Sequence, residues 1–240
     1  MNKPCVFLLP GLLCDAAIWQ HQIDFLGASY DVRVPVFRGF DSFRDMASHT
    51  LKDAPERFSV AGHSMGARVA LELMDLAGDR VDKLALLNFG AHPVAPSEPA
   101  RRQQLMDLAD KQGLDAVIEQ LIPQMFGPEG QRNPELINVF RAMARRSSIN
   151  DFKGQIHAAL NRGDHRPYLQ RIDIPVLLVC GSVDAWSPIE QHRDSLALLR
   201  RGRLDIIPGS GHMTPMENPR QLNEIFFRWL TDASYSENRG

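Results

Sequence analysis

Residues 58–73 read FSVAGHSMGARVALEL, and the fold turns on how this stretch divides. Its start is a short apolar, β-branched run, which predicts a strand over Phe58–Gly62. Farther on, Val69, Ala70, Leu73 and Leu76 recur at helical spacing, which predicts a helix over Ser64–Leu76. Between them lies Gly62-His63-Ser64-Met65-Gly66, a Gly-x-Ser-x-Gly sequence. A serine caught between strand and helix sits on a sharp, strained turn that needs small neighbours and exposes its hydroxyl. The helix N-terminus then points its dipole at any negative charge developing there.

The same rhythm extends outward on both sides. Short apolar runs at Cys5–Leu9, Val32–Phe37 and Leu84–Asn88 have the length of strands buried on both faces. Helical patterns separate them: Ala16–Leu26 with Asp15 as cap, and Phe43–Leu51 capped by Ser42 or Asp41. This alternation argues a parallel sheet with helices on both faces. From 92 to 169 no strand is evident, and helices are predicted at Ala100–Lys111, Leu114–Gln124, Pro134–Ser147 and Phe152–Asn161. Strand and helix then resume at Pro175–Cys180, Pro188–Arg200, Arg203–Ile207 and Pro219–Leu230. The expected fold class is therefore α/β, with 1–91 and 170–234 as core and 92–169 as a helical lid. Such a lid would cover the carboxyl edge of the sheet, where these sheets bind ligands. The polar residues 235–240 read as a flexible tail.

Composition bounds the function without choosing it. The 240 residues carry 27 basic and 29 acidic side chains, so no broad field invites nucleic acid or an anionic membrane. The pairs Arg101–Arg102, Arg145–Arg146 and Arg200–Arg201 read as solvated faces. Three cysteines build no disulfide framework and show no metal-ligand spacing, which points to free thiols, a cytoplasmic setting and no metal. The apolar N-terminal run is broken by Pro10–Gly11 and lacks a small-residue cleavage site, so it reads as a strand and not as a leader. No run approaches the ~18 apolar residues of a membrane span. Oligomeric state is not readable.

A serine hydroxyl needs a base to become a nucleophile, and the base needs a partner. His212 lies in IIPGSGHMTPMENP, after the last predicted strand, in a loop of small residues. His21, His49, His157 and His192 fall on predicted helices and read as surface residues. His63 reads as structural, and His92 remains an alternative base. Asp184 follows a strand in VLLVCGSVDAWSP, whereas Asp173 precedes that strand and Asp205 lies within the next. Carbonyl chemistry also needs two fixed N–H donors, here the backbone of Met65 and, beside Gly11, of Leu12. These residues carry the whole mechanism, so no cofactor is implied.

With LLPGLL, AGHSMGARVALEL, IPVLLVCGSVDAWSP and IPGSGHMTPMENP in place, nearly the whole chain resembles the α/β-hydrolase fold family, in particular its compact lidded esterase-like members. The resemblance implies Ser64 as nucleophile, His212 as general base and acid, Asp184 as orienting acid, and Leu12 and Met65 as oxyanion donors. Two departures stand out. Pro10-Gly11 replaces the family's common His-Gly, and the antiparallel strands that often precede it are missing, so about six strands are expected.

The fold hosts several reactions, so the class must come from the site. Ser64 at the elbow disfavours relatives with an aspartate nucleophile. Met213 and Thr214 after the histidine disfavour carbon–carbon bond hydrolases, which usually carry a tryptophan there. Hydrolysis of a small ester, thioester or lactone leads. Acyl transfer and carbon–carbon hydrolysis are alternatives on the same triad, and a non-catalytic receptor is the alternative from another class. Phe126, Phe140, Trp186 and Met213 are the expected apolar pocket wall, with Arg38 near the same edge.

Overall fold

The computed structural model describes residues 3–231. Six strands, β1 (Cys5–Leu9), β2 (Asp31–Arg33), β3 (Phe58–His63), β4 (Val81–Leu87), β5 (Val176–Gly181) and β6 (Gly202–Ile207), form one sheet in the order β2-β1-β3-β4-β5-β6. Every pairing is parallel. Strand side chains alternate between faces, so the central strands feed two cores. Val6 and Leu8 enter one, and Cys5, Phe7 and Leu9 the other.

Two helices precede the elbow: α1 (Gln20–Leu26), entered through a 3₁₀ turn at Ala16–Trp19 capped by Asp15, and α2 (Phe43–Leu51), capped by Ser42. The elbow helix α3 (Met65–Ala77) follows β3. Between β4 and β5 run α4 (Glu98–Gln112), α5 (Leu114–Met125), α6 (Pro128–Gln131), α7 (Pro134–Ala144), α8 (Ile149–Leu160) and α9 (Arg166–Leu169). After β5 come α10 (Ile189–Leu198), α11 (Thr214–Glu217) and α12 (Pro219–Thr231). Leu26 of α1 and Phe226 and Trp229 of α12 pack on one face of the sheet. Met46 of α2 and Val69 and Leu73 of α3 pack on the other. The predicted tail at 235–240 lies outside the described residues. No described helix is long and apolar enough to cross a membrane.

β2 is shorter than the expected Val32–Phe37. It is an edge strand, and Pro35 has no N–H to continue its ladder with β1. Val36 is exposed, while Phe37 turns back into the second core.

Phe126 and Phe140 meet edge to face, with ring centroids 5.4 Å apart, inside the first core. Phe140 is fully buried. Its replacement by alanine is expected to cost about 3–5 kcal/mol of folding stability. Urea unfolding checks this, and a loss below about 1 kcal/mol would show that the ring does not carry the packing assigned to it.

Candidate active site

Ser64 holds φ 54° and ψ −111°, a left-handed backbone that a non-glycine residue adopts only under constraint. The constraint is local. A Cβ on Gly62 would run into the Gly66 carbonyl, and one on Gly66 into the Leu9 carbonyl, so only glycines let strand and helix approach this closely. The Ser64 N–H is tied to the Leu87 carbonyl at 2.8 Å, which fixes the elbow to β4.

The Ser64 hydroxyl stands 2.8 Å from His212 Nε2. His212 Nδ1 lies 2.9 Å from Asp184 Oδ2, so it carries the proton and Nε2 is the ring's acceptor. Both His212 and Asp184 are buried. Asp184 also accepts from the Asn88 side-chain amide and from the backbone N–H groups of Trp186 and Ser187, each at 2.9 Å. Burial alone would raise its pKa. The His212 interaction and these donors outweigh burial and hold the carboxyl well below the usual range.

Three supporting residues escape a reading by motif. Asn88, just past β4, adopts φ 50° and is fully buried. While its amide donates to Asp184, its carbonyl oxygen accepts from the Thr214 hydroxyl at 2.5 Å. Gln155 of α8 accepts the Leu13 N–H at 3.0 Å, while its amide donates to the Phe37 carbonyl at 3.3 Å. It thereby fixes the loop after β1, where Leu13 has φ 59°. Glu217 accepts from the backbone N–H groups of Gly127, Gly211 and Met213 at 2.7, 3.0 and 3.1 Å. Asn88 was hidden as the end of an apolar run, though a polar residue just past a strand at the carboxyl edge is itself a signal. Gln155 and Glu217 sit on helices whose sequences announce nothing.

His63 is fully buried, and its Nε2–H donates to the His212 carbonyl at 2.7 Å, while Nδ1 has no partner among the described residues. Burial, reinforced by His212, pulls its pKa down to about 3. The folded state therefore binds this proton less well than the unfolded chain does. The resulting stability is complete above the ordinary histidine pKa of 6.5 and is lost as pH falls from there towards 3. Folding free energy should fall by up to about 1.4 kcal/mol per pH unit from this residue. His63→Gln should flatten that slope in urea titrations between pH 6.5 and 4.5, and an equal slope in both proteins would refute the assignment.

A cavity of about 380 Å³, a size typical of small-molecule sites, opens between the carboxyl ends of the strands and the α4, α5 and α8 helices. Ser64, His212, Leu12, Met65 and Trp186 all line it. Among the described residues, neither the Leu12 N–H nor the Met65 N–H donates to another backbone or side-chain group, and Met65 opens α3. Trp186 stacks obliquely on His212 with centroids 5.1 Å apart.

The other expected wall residues lie elsewhere. Phe126 and Phe140 are spent on each other in the core, and Met213 is buried there too. Amphipathic helices offer apolar side chains to a core and to a pocket alike, and here the core takes them. Arg38 is exposed and faces Asp15 at 3.7 Å. Two further expectations are corrected. Arg102 lines the cavity instead of a solvated face. His192, expected at the surface, is fully buried and accepts the Phe89 N–H at 3.2 Å. His92 reaches the cavity wall, but its Nδ1 contacts the Pro93 carbonyl at 2.9 Å. Cys5, Cys14 and Cys180 are all free thiols.

A family model described as the alpha/beta hydrolase family matches residues 6–225. A putative carbamate hydrolase RutD from Serratia proteamaculans is 23% identical, over 98% of this chain and 94% of that protein. A pimeloyl-(acyl-carrier protein) methyl ester esterase from Vibrio atlanticus is 26% identical over 80% of each chain. Among solved structures, a thermophilic esterase from Thermogutta terrifontis superposes with a TM-score of 0.87 at 24% identity, covering 95% of this chain and 90% of that one. The enol-lactonase from Burkholderia xenovorans LB400 gives 0.86 at 20% identity, covering 97% and 93%.

Proposed function

Because the chain belongs to the alpha/beta hydrolase family, we propose that it hydrolyses a carboxylic ester, thioester or lactone of a small, partly apolar molecule through an acyl-enzyme. The observation that carries this reading is the unbroken hydrogen-bond chain from Ser64 Oγ through His212 to Asp184. Ser64 attacks the carbonyl carbon as His212 Nε2 takes its proton. The negative oxygen of the tetrahedral intermediate is met by the N–H groups of Leu12 and Met65, each such donor being worth about 10²–10³ in rate. Collapse breaks the bond to the alcohol or thiol, which leaves with the proton held on His212. Water then gives a proton to His212 and attacks the acyl carbon, the acid departs, and Ser64 recovers its hydrogen. Asp184 keeps its charge throughout and holds the imidazole in the tautomer that accepts from serine.

In this reading residues 92–169 act as the lid on a core formed by 1–91 and 170–234, and the free thiols suit a cytoplasmic enzyme. Relatives named as a methyl ester esterase and an enol-lactonase support carbonyl hydrolysis as the class. The experiment is labelling by a fluorophosphonate with peptide mapping, alongside turnover of p-nitrophenyl acetate and butyrate. Modification at Ser64 together with ester turnover is expected. Absence of both, with tight binding of a small molecule, would favour a receptor on the same fold.

A further inference from the structure

The cavity wall is strongly cationic in a chain whose formal net charge is only −2. Arg68, Arg101, Arg102 and Arg162 line it, and among the described residues Glu98 is the lining carboxylate. Glu98 is already committed. Arg162 grips it with two hydrogen bonds, at 2.6 and 2.9 Å, and both side chains are nearly inaccessible. Arg102 reaches the same carboxylate at 3.2 Å as a second, weaker partner. The charge of Glu98 is thus shared between two guanidinium groups, and two more remain.

Arg68 is the least compensated of them. Only 7% of its surface is exposed, yet it hydrogen-bonds no carboxylate: its partners are the His92 carbonyl at 3.0 Å and His165 Nδ1 at 3.4 Å. The nearest acid on its own helix, Glu72, is engaged by the far side of the His165 ring at 3.1 Å. Burial and the neighbouring Arg162 pull the Arg68 pKa down to about 9, against the opposing pull of Glu98 and Asp164. Burying an unpaired charge is costly, so an anion entering here would relieve a standing penalty. Arg101 is exposed at the mouth and has no ion-pair partner among the described residues.

Position relative to Ser64 sets what such an anion belongs to. Arg68 stands in the first turn of α3, four residues after Ser64, and both line the cavity. Arg102 lies over the Trp186 ring at 6.0 Å, and that ring contacts His212. The charges therefore share one cavity with the serine, whose lining also includes Leu105, Leu121 and Trp186. We infer that the substrate carries a second group, a terminal carboxylate or phosphate, which Arg102 and Arg68 hold while the scissile carbonyl lies at Ser64. The guanidinium fork suits either anion in a two-point grip.

The choice of ester probes rests on the hydrolase reading, whereas the binding arm does not. The mono-p-nitrophenyl ester of adipic acid and p-nitrophenyl hexanoate present the same six-carbon acyl chain with and without a terminal carboxylate. Wild type should favour the adipate ester at least tenfold in kcat/KM, and Arg102→Gln should lower that ratio at least tenfold, through KM. Arg101→Gln, on an exposed side chain that cannot disturb the core, should lower it less and reduce its dependence on salt. In parallel, calorimetry compares adipate, its diamide and glycerol 3-phosphate on both proteins, with melting curves confirming the fold. Tighter binding of adipate or of glycerol 3-phosphate than of the diamide, weakened in Arg102→Gln, supports the inference and tells carboxylate from phosphate. A wild-type ratio near one with no selective anion binding overturns it, even if Ser64 is labelled and hexanoate is cleaved. Arg102-dependent anion binding without turnover of either ester and without labelling of Ser64 would instead sustain the anion subsite and remove the hydrolase reading.

Discussion

Ser64→Ala is expected to lower kcat for p-nitrophenyl butyrate by about 10⁶-fold, because the attacking oxygen disappears and nothing near it can substitute. The lesion should be chemical and not structural. Alanine keeps the Cβ, the backbone bond from Ser64 N–H to Leu87 is untouched, and the elbow glycines still permit the turn. Melting temperature should therefore hold steady or rise slightly, since the strained φ is unchanged and a half-buried hydroxyl no longer needs its partner. KM should change little. The residual rate, from oxyanion donors and binding alone, should still exceed the reaction in water. Steady-state kinetics beside a melting curve decide the matter, and more than a tenth of wild-type kcat in the variant would remove Ser64 from the mechanism.

Asp184→Asn is expected to cost about 10⁴-fold in kcat, less than loss of the serine. The asparagine has nearly the shape of aspartate, but one of its two positions is an amide. The Trp186 and Ser187 N–H groups both donate to Oδ1, so the new oxygen will be drawn there and the NH₂ will take the Oδ2 position beside His212 and Asn88. The amide NH₂ then faces His212 Nδ1, which must turn acceptor, and the proton shifts to Nε2. A ring protonated there cannot take the hydrogen of Ser64. The variant also loses the negative charge that stabilises the imidazolium. Raising pH should not restore it, since the fault is a tautomer and not an unfilled protonation. Activity equal to wild type would show that another acid orients the histidine.

The elbow and the strand ends were legible because the information is local: strand, turn and helix follow one another within residues 58–77, and the glycines flank the serine directly. Asp184 and His212 could be picked out by their place after strands β5 and β6. What surrounds them was not legible. Asn88 meets Asp184 across 96 positions and Gln155 meets Leu13 across 142, and no spacing rule reports such encounters. Arg101 and Arg102 looked alike as a pair, but consecutive helix residues point about 100° apart, which sends one to the mouth and the other over Trp186. Phe126, Phe140 and Met213 failed as pocket residues for a related reason: periodicity says that a face is apolar, not what it will lie against.

The Met125–Gly127 corner carries one more consequence. The Met125 carbonyl accepts the N–H groups of both His212 and Met213, at 2.7 and 3.2 Å, and the Gly127 N–H ends on Glu217, which also grips Gly211 and Met213. The end of α5 and the loop carrying His212 are thus riveted together at this corner, and prising them apart would slacken the very backbone that aims the imidazole. The exposed lining residues Arg101, Gln104 and Gln120 leave the cavity open to solvent without loosening that corner.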